Sequence, residues 1–512
     1  MSRKCASCGV KWAFTDGLCR DCSRENTQLA KNAISVLPHR HKAAAAAPRP
    51  VLEPSRTAVA SSAALAADGS EDDHIARLVL PCEDLEEWAF VEAVLGSPVN
   101  ALIDLDAVMA KFEARCQHRS CSFFADIPGS SEASEFDFDT FFEVGLPMLL
   151  EMALAMPTLF AGVQLPIFRT GAGWSGCQIL TKKSISLSRQ QCACLLAHSF
   201  LGSLRLPPGV QPNDWRFTVA DLFVGTARSP NSAAAFLHYF TDLGRHGFAD
   251  GCVTFERRGY QRGPSPWVWE SNAQPLCAVR IVDGALQDCA ADVHAEFANA
   301  FIGGGVMTGD FAMEELLFLM KPELMVAMAL QHRMTDTESI AISGALQYSR
   351  IRGYGASFEF AGECSRSSQP QPPPTVCAID AVRGGGPAMA EAALLRDLNK
   401  ARAAFDGARE VATGHWGCGA FGNNHDLMFL KQWLAASEAG VHTLHYHDFD
   451  RAQSHNVVPL LRKLGHLTVG ELWSFLHELT ADLRPANVAA FSVRMREIAT
   501  GKRPPPRSDK NR

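Results

Sequence analysis

The sequence predicts an α/β fold: a mixed β-sheet flanked by helices in the C-terminal half, preceded by a mostly helical region. Three observations carry this. Apolar residues recur at helical spacing in LEEWAFVEAVLG, LIDLDAVMAKFEARC, FDTFFEVGLPMLLEMALAMPTLF and LSRQQCACLLAHSFLGSL, all before about residue 225. After it come short β-rich runs: CVTFERRGY, PLCAVRIVDGALQDCA, SIAISGALQYS, SFEFAGE, TVCAIDAV and VHTLHYHDF. Helical runs such as AMAEAALLRDLNKARAAFDG and HDLMFLKQWLAAS lie between them, the alternation expected of an α/β sandwich.

Taken in order, residues 1–25 hold Cys5, Cys8, Cys19 and Cys22 as two CxxC pairs ten residues apart. Four thiolates so spaced close around one tetrahedral Zn²⁺, and a closed set of four is structural because it leaves no open position. Trp12 and Phe14 are placed to pack on such a knuckle. Its partner is left open between a protein and, given Lys4, Lys11, Arg20 and Arg24, a nucleic acid. Residues 26–75, with HKAAAAAPRP and an Ala/Ser-rich run, lack a sustained apolar period and read as a disordered linker. A helical region spans 76–225, with Ser188 placed as the N-cap of its RQQCACLLAHSFL helix. The α/β domain spans 226–500. The basic tail 501–512 reads as disordered, with nuclear import as the alternative.

Composition narrows the function classes. At 512 residues the chain has room for two or three units, and 47% apolar residues supply a core. A net charge of −7 argues against a protein that coats nucleic acid. No apolar leader follows the first methionine and no apolar run reaches membrane-spanning length, so a soluble intracellular protein is expected. The 16 cysteines read as buried thiols outside the knuckle, not as a disulfide framework.

Two glycine-rich stretches are the candidate chemistry. In EFANAFIGGGVMTGDFAMEE, residues 296–315, Gly303, Gly304 and Gly305 precede the adjacent acids Glu314 and Glu315, which open an apolar helix. Glycines let backbone amides approach a ligand, and a glycine-rich turn at a helix N-terminus suits phosphate. Carboxyls beside it suit acid–base work. A surface loop before a helix with an acidic first turn gives the same pattern. The second stretch, VATGHWGCGAFGNNHD at 411–426, again joins a predicted strand to a helix. Two such loops in one α/β domain fit a diphosphate better than a single phosphate.

These residues carry a resemblance. FANAFIGGG followed by MEELLFLMKPEL is similar to the signature of the poly(ADP-ribose) glycohydrolase family, whose pattern is GGG followed by Gln-Glu-Glu. FFEVGLPMLLEMALAMPTLF and SISLSRQQCACLLAHSFL resemble that family's helical accessory region. GYGASFEFAGE, CAIDA, LLRDLNKA and GHWGCGAFG resemble its catalytic domain, in the family's order and over most of residues 78–450. The resemblance implies a macrodomain-like three-layer α/β/α fold and hydrolysis of the ribose–ribose O-glycosidic bonds of poly(ADP-ribose). Glu315 matches the catalytic acid and Glu314 its partner, which holds ribose hydroxyls. Asn299 matches a ribose-positioning asparagine. Gly303, Gly304 and Gly305, with Gly417, Gly419, Ala420 and Phe421, match the loops around the diphosphate, and Tyr354 a tyrosine that closes near the adenine. No cofactor is implied for catalysis. The expected partner is poly(ADP-ribose) on modified proteins, with no membrane contact, a monomeric state, and a nuclear or cytoplasmic location.

Elementary chemistry adds one tension. Consecutive helical residues point about 100° apart, so Glu314 and Glu315 reach one substrate only from the loop–helix junction. The junction favours the ionised carboxylate, while a general acid must hold its proton. Burial, the neighbouring carboxylate and the substrate diphosphate are expected to raise the pKa. Four departures from the family pattern stand out: Met313 for glutamine, Glu296 for aspartate, His415 for asparagine, and Asn423–Asn424 for Gly-Asp. They leave a second reading open, a macrodomain that binds the polymer without cleaving it. An unrelated nucleotide hydrolase using the zinc site is the third. Asp380, the His445/His447 pair, and Tyr446 or Phe449 as an adenine platform are lesser candidates, and Cys192 and Cys194 read as core.

Overall fold

The computed structural model describes residues 77–99, 102–116, 136–169, 180–211, 214–223, 230–260, 266–384, 386–448, 456–483 and 488–502. The cysteine quartet, the linker and all but the first two residues of the basic tail lie outside them.

Twelve strands occur among the described residues. β1 (Arg77–Leu78) and β2 (Leu165–Pro166) form a small antiparallel pair in the helical region. β8 (Ser349–Arg352) and β9 (Glu359–Glu363) form a hairpin. The other eight make one sheet: β3 (Thr181–Ser188), β4 (Cys252–Gly259), β5 (Ala278–Val282), β6 (Val293–Phe297), β7 (Glu338–Ser343), β10 (Thr375–Ile379), β11 (Glu410–Thr413) and β12 (Thr443–His447). Their spatial order is β3-β4-β7-β10-β6-β11-β12-β5. The pairs from β3 to β10 are antiparallel, and those from β10 through β6, β11 and β12 to β5 are parallel. The expected mixed sheet is therefore present.

The strand sequences follow their places. β10, TVCAI, is apolar on both faces because it lies inside the sheet, covered on either side. β3, TKKSISLS, buries only Leu187 fully and shows alternate polar residues, as an edge strand does. It comes from the stretch expected to be helical, so the sheet draws on both sides of residue 225. The sequence hides it because its lysines and serines break the apolar run. β6, VHAEF, is missing from the expected β-rich runs for a related reason: His294 and Glu296 interrupt it.

Helices lie on both faces. Val293 and Ala295 of β6, Cys377 and Ile379 of β10, and Val411 of β11 join a core with the helices Glu391–Phe405 and His425–Glu438. Trp269, Trp416, Trp433 and Trp473 are buried in it. Successive strand residues alternate faces, so His294 and Glu296 point the other way, toward the Met313–Met320 helix that packs on β6.

The helical region is joined to this second face through buried charge. Arg189 donates to both oxygens of Glu323, at 2.8 and 2.6 Å, and to the Gly344 carbonyl at 2.8 Å. Tyr348 Oη and the Leu346 amide also donate to Glu323, at 2.8 and 3.0 Å. Each oxygen of this carboxylate thus accepts from two donors, which lets the pair stay charged inside. Because Glu323 follows directly on the Met313–Met320 helix, the pair fixes that helix against Arg189–Leu201.

Ser188 is the predicted N-cap. Its Oγ accepts from the Gln191 amide at 3.1 Å, and Gln191 Oε1 accepts from the Ser188 amide at 2.8 Å, a reciprocal capping box. Ser188→Ala should lower the unfolding free energy by about 1 kcal/mol. Urea titration of the variant beside wild type checks this, and an unchanged midpoint would remove the cap's role.

Candidate active site

Three loops leave the C-terminal ends of the neighbouring strands β10, β6 and β11, where ligands sit in open α/β sheets. The β6 loop carries Asn299 and the glycine triplet, then enters the Met313–Met320 helix. The β11 loop is the second glycine stretch. The β10 loop meets it where the Gly384 amide donates to the Phe421 carbonyl at 2.7 Å.

The glycine triplet wraps the two acids. Glu314 accepts from the Asn299 amide at 2.7 Å and the Gly303 amide at 2.6 Å. Glu315 accepts from the Gly305 amide at 2.8 Å and from the amide of Ala312, the helix N-cap residue, at 3.0 Å. Both side chains therefore fold back over the loop–helix junction, which resolves the 100° divergence expected of neighbours on a regular helix. The Gly304 amide donates to the Phe301 carbonyl at 3.2 Å. The triplet's amides are thus occupied by the protein's own acceptors. In this structure the triplet holds the carboxyl groups in place. Gly304 has φ +52°, and a Cβ there would enter hard contact with Glu315 Oε1 and stand 2.6 Å from Glu314 Oε2. Only glycine lets the acids come this close to the backbone.

Electrostatics push both carboxyls toward the neutral form. Burial raises the Glu315 pKa first, with the charge of Asp310 adding to it; the Gly305 and Ala312 amides pull it back. Glu314 is raised well above the ordinary carboxyl range by burial, then by Glu296 and Glu315. Glu296, which the sequence marked only as a departure, is a third member of the cluster. It is fully buried, neither oxygen has a hydrogen-bond partner among the described residues, and burial followed by the charge of Glu315 raises its pKa strongly. The signal in the sequence was an acid inside a short buried strand.

Linkage gives a test. The stability contributed by neutral Glu296 is complete below its unfolded-state pKa of about 4.3, and is lost as pH rises through the raised folded value. Glu296→Gln removes that loss. The variant's stability relative to wild type should therefore increase from pH 5 to pH 8, read by denaturant titration at each pH. A constant difference would show that Glu296 does not titrate abnormally.

In the second loop, Gly417 has φ +68°, and a Cβ there would lie 2.7 Å from Ala381 Cβ and 2.8 Å from Asn423 Nδ2. Asn423 donates to the Val382 carbonyl at 2.7 Å and to that of Gly417 at 3.1 Å, tying the β10 and β11 loops together. Asn424 caps the His425–Glu438 helix, accepting from the Leu427 amide at 3.0 Å. Asparagine and aspartate cap about equally well, so this departure keeps its structural job. His415 is buried, with Nε2 3.1 Å from Asp448 Oδ1 and its ring 4.7 Å from that of His425. The amides of Gly419, Ala420 and Phe421 have no partner among the described residues, and Gly419 and Ala420 are exposed.

Tyr354 is exposed on the β8–β9 hairpin, and its neighbour's amide, Gly355 N, donates to the Phe311 carbonyl at 3.0 Å, beside the acids. Partial burial of its phenol, then the charge of Glu315, raises its pKa. Asn299 is half-buried, with Oδ1 accepting from the Phe301 amide at 3.0 Å. The lesser candidates have ordinary roles. His445 pairs with Glu410 at 3.0 Å, and His447 Nδ1 lies 3.1 Å from the Gly284 carbonyl. Asp380 is paired with Arg396 and Lys400 at its strand end. Tyr446 is fully buried within the core and offers no face to a base. Phe449 lies outside the described residues. Cys192 and Cys194 are fully buried free thiols.

Residues 133–257 match the family model for the helical domain of poly(ADP-ribose) glycohydrolase, and residues 267–456 match that for its Macro domain fold. A protein of Arabidopsis thaliana described as probable poly(ADP-ribose) glycohydrolase 2 is 29% identical over 336 residues, covering 53% of this chain and 64% of that one. Poly(ADP-ribose) glycohydrolase 1 of the same plant is 26% identical over 519 residues, covering 80% and 93%. A crystal structure of the Deinococcus radiodurans enzyme in complex with ADP-ribose is 17% identical, covers 36% of this chain and 82% of that one, and has a TM-score of 0.24.

Proposed function

This chain belongs to the poly(ADP-ribose) glycohydrolase family, and from that premise we propose that it hydrolyses ribose–ribose O-glycosidic bonds of poly(ADP-ribose), releasing ADP-ribose. The observation that carries the reading is the pair Glu314–Glu315, set side by side by loop amides at a helix N-terminus, each with its pKa raised by burial.

Glu315 is the general acid. It gives its proton to the leaving ribose oxygen as the glycosidic C–O bond breaks and positive charge develops on the remaining sugar. Water adds to that carbon and returns a proton to Glu315. The opposing influences on this carboxyl suit both halves: burial favours the protonated form, and two amide donors stabilise the carboxylate once the proton has left. Glu314, with Asn299, positions ribose hydroxyls. The diphosphate lies against the second loop, where the Gly419, Ala420 and Phe421 amides are available as donors, and Gly417 shapes the turn. Tyr354 closes near the adenine. Incubating the full chain with labelled poly(ADP-ribose) should release free ADP-ribose. Tight ADP-ribose binding with no release would instead make the protein a reader of the polymer, which the Met313 and His415 departures favour.

The Zn²⁺ knuckle of Cys5, Cys8, Cys19 and Cys22 is structural in this reading, with residues 26–75 as its tether. The helical region and catalytic domain share the sheet, to which the helical region contributes β3. The enzyme works as a monomer on polymer attached to modified proteins, in the nucleus or cytoplasm. No helix among the described residues is long and apolar enough to cross a membrane. Deleting residues 1–70 should leave turnover of free polymer nearly unchanged, measured as initial rates of ADP-ribose release. Loss of most activity in a soluble truncated protein would tie the knuckle to catalysis.

A further inference from the structure

We propose that Asp242, His246 and Glu363 bind a divalent cation, Zn²⁺ by preference, that ties the end of the Pro230–His246 helix to the β8–β9 hairpin. Asp242 and His246 are four apart and share one helix face. Glu363 is the last residue of β9, which packs on that helix. His246 Nε2 stands 3.9 Å from Asp242 Oδ1 and 3.5 Å from Glu363 Oε1, and the three ligand atoms all lie within 4.8 Å of one another. Ligands about 2.0 Å from a tetrahedral Zn²⁺ are about 3.3 Å apart, so a modest contraction closes the set. His246 and Glu363 are half-exposed and free to make it.

The anchor is Asp242. It is only 1% exposed, and its two oxygens are used differently. Arg366 pairs with Oδ2 and also donates to the Gly247 carbonyl at 2.7 Å, which fixes the carboxylate in place. Oδ1 has no hydrogen-bond partner among the described residues. A buried carboxylate oxygen left without a donor is costly, and a cation at this point removes the cost. His238, one turn earlier on the same helix, is buried and its Nε2 has no hydrogen-bond partner among the described residues. The site also lies at a helix C-terminus, whose dipole attracts cations. One imidazole nitrogen with two carboxylate oxygens is a Zn²⁺ donor set that leaves a fourth position for water. The role follows from the connection: the hairpin held at its base by Glu363 carries Tyr354 near its tip.

The test uses the full chain, with Zn²⁺ as the probe, in calorimetric titrations of wild type, His246→Ala and Glu363→Gln. The cysteine quartet is common to all three, so differences report this site. Wild type should take up one equivalent more than His246→Ala, and Glu363→Gln should weaken that equivalent at least about tenfold. Added Zn²⁺ should raise the melting temperature of wild type more than that of His246→Ala. Circular dichroism checks that His246→Ala is folded; if it is not, the half-exposed Glu363→Gln decides alone. Equal stoichiometry and affinity in wild type and the folded variants would overturn the site.

Discussion

Glu315→Gln should lose about 10²–10⁴-fold in the rate of polymer hydrolysis while binding ADP-ribose about as tightly as wild type. The substitution keeps size and shape and removes only the transferable proton. Gly305 donates to Oε1 at 2.8 Å and Ala312 to Oε2 at 3.0 Å, so the single oxygen of glutamine keeps one of these two bonds, while the Asn299 and Gly303 amides still hold Glu314. In the proposed mechanism, ground-state affinity rests on the second glycine loop and Asn299, which the change does not touch. The paired measurements are initial rates of ADP-ribose release and calorimetric affinity for ADP-ribose. Equal rates for variant and wild type would remove Glu315 from the mechanism. A parallel loss of affinity would mean that the side chain binds ligand in the ground state.

What the sequence made legible was local. The Ser188 capping box, the acid pair after a glycine triplet, and most strands of the sheet follow from patterns a few residues long, and the structure has each of them. What it hid depended on partners far away in the chain. β3 is polar on one side because it lies at a sheet edge, which only the strand order reveals. The triplet's amides looked available for phosphate, since nothing in GGG says that two carboxylates ten and eleven residues later will return to occupy them. Glu296 stood out in the sequence only as a departure from the family's aspartate. Its weight comes from burial beside Glu315 on the sheet face away from the main core, and a single strand's pattern does not show which neighbours it will meet. Asn424 illustrates the reverse: a departure from the family pattern that preserves a helix cap in three dimensions.

The same geometry makes Gly304 the most exacting position in the loop. Gly304→Ala should abolish most turnover, by at least about 10²-fold, even though only one methyl group is added. Two effects combine. At φ +52° an alanine is strained by about 1–2 kcal/mol. The larger effect is steric: the Cβ occupies the space of Glu315 Oε1 and lies 2.6 Å from Glu314 Oε2, so both acids must move away from the amides that hold them. Displacing catalytic groups by about 1 Å costs about 10²-fold, and here both move together. Backbone strain is separated from displacement by Gly440→Ala, at φ +77°, where a Cβ meets nothing within 4 Å. That variant should lose comparable stability yet keep wild-type turnover. Should Gly304→Ala hydrolyse polymer at the wild-type rate, the carboxylates do not act from the positions in which the glycine loop holds them.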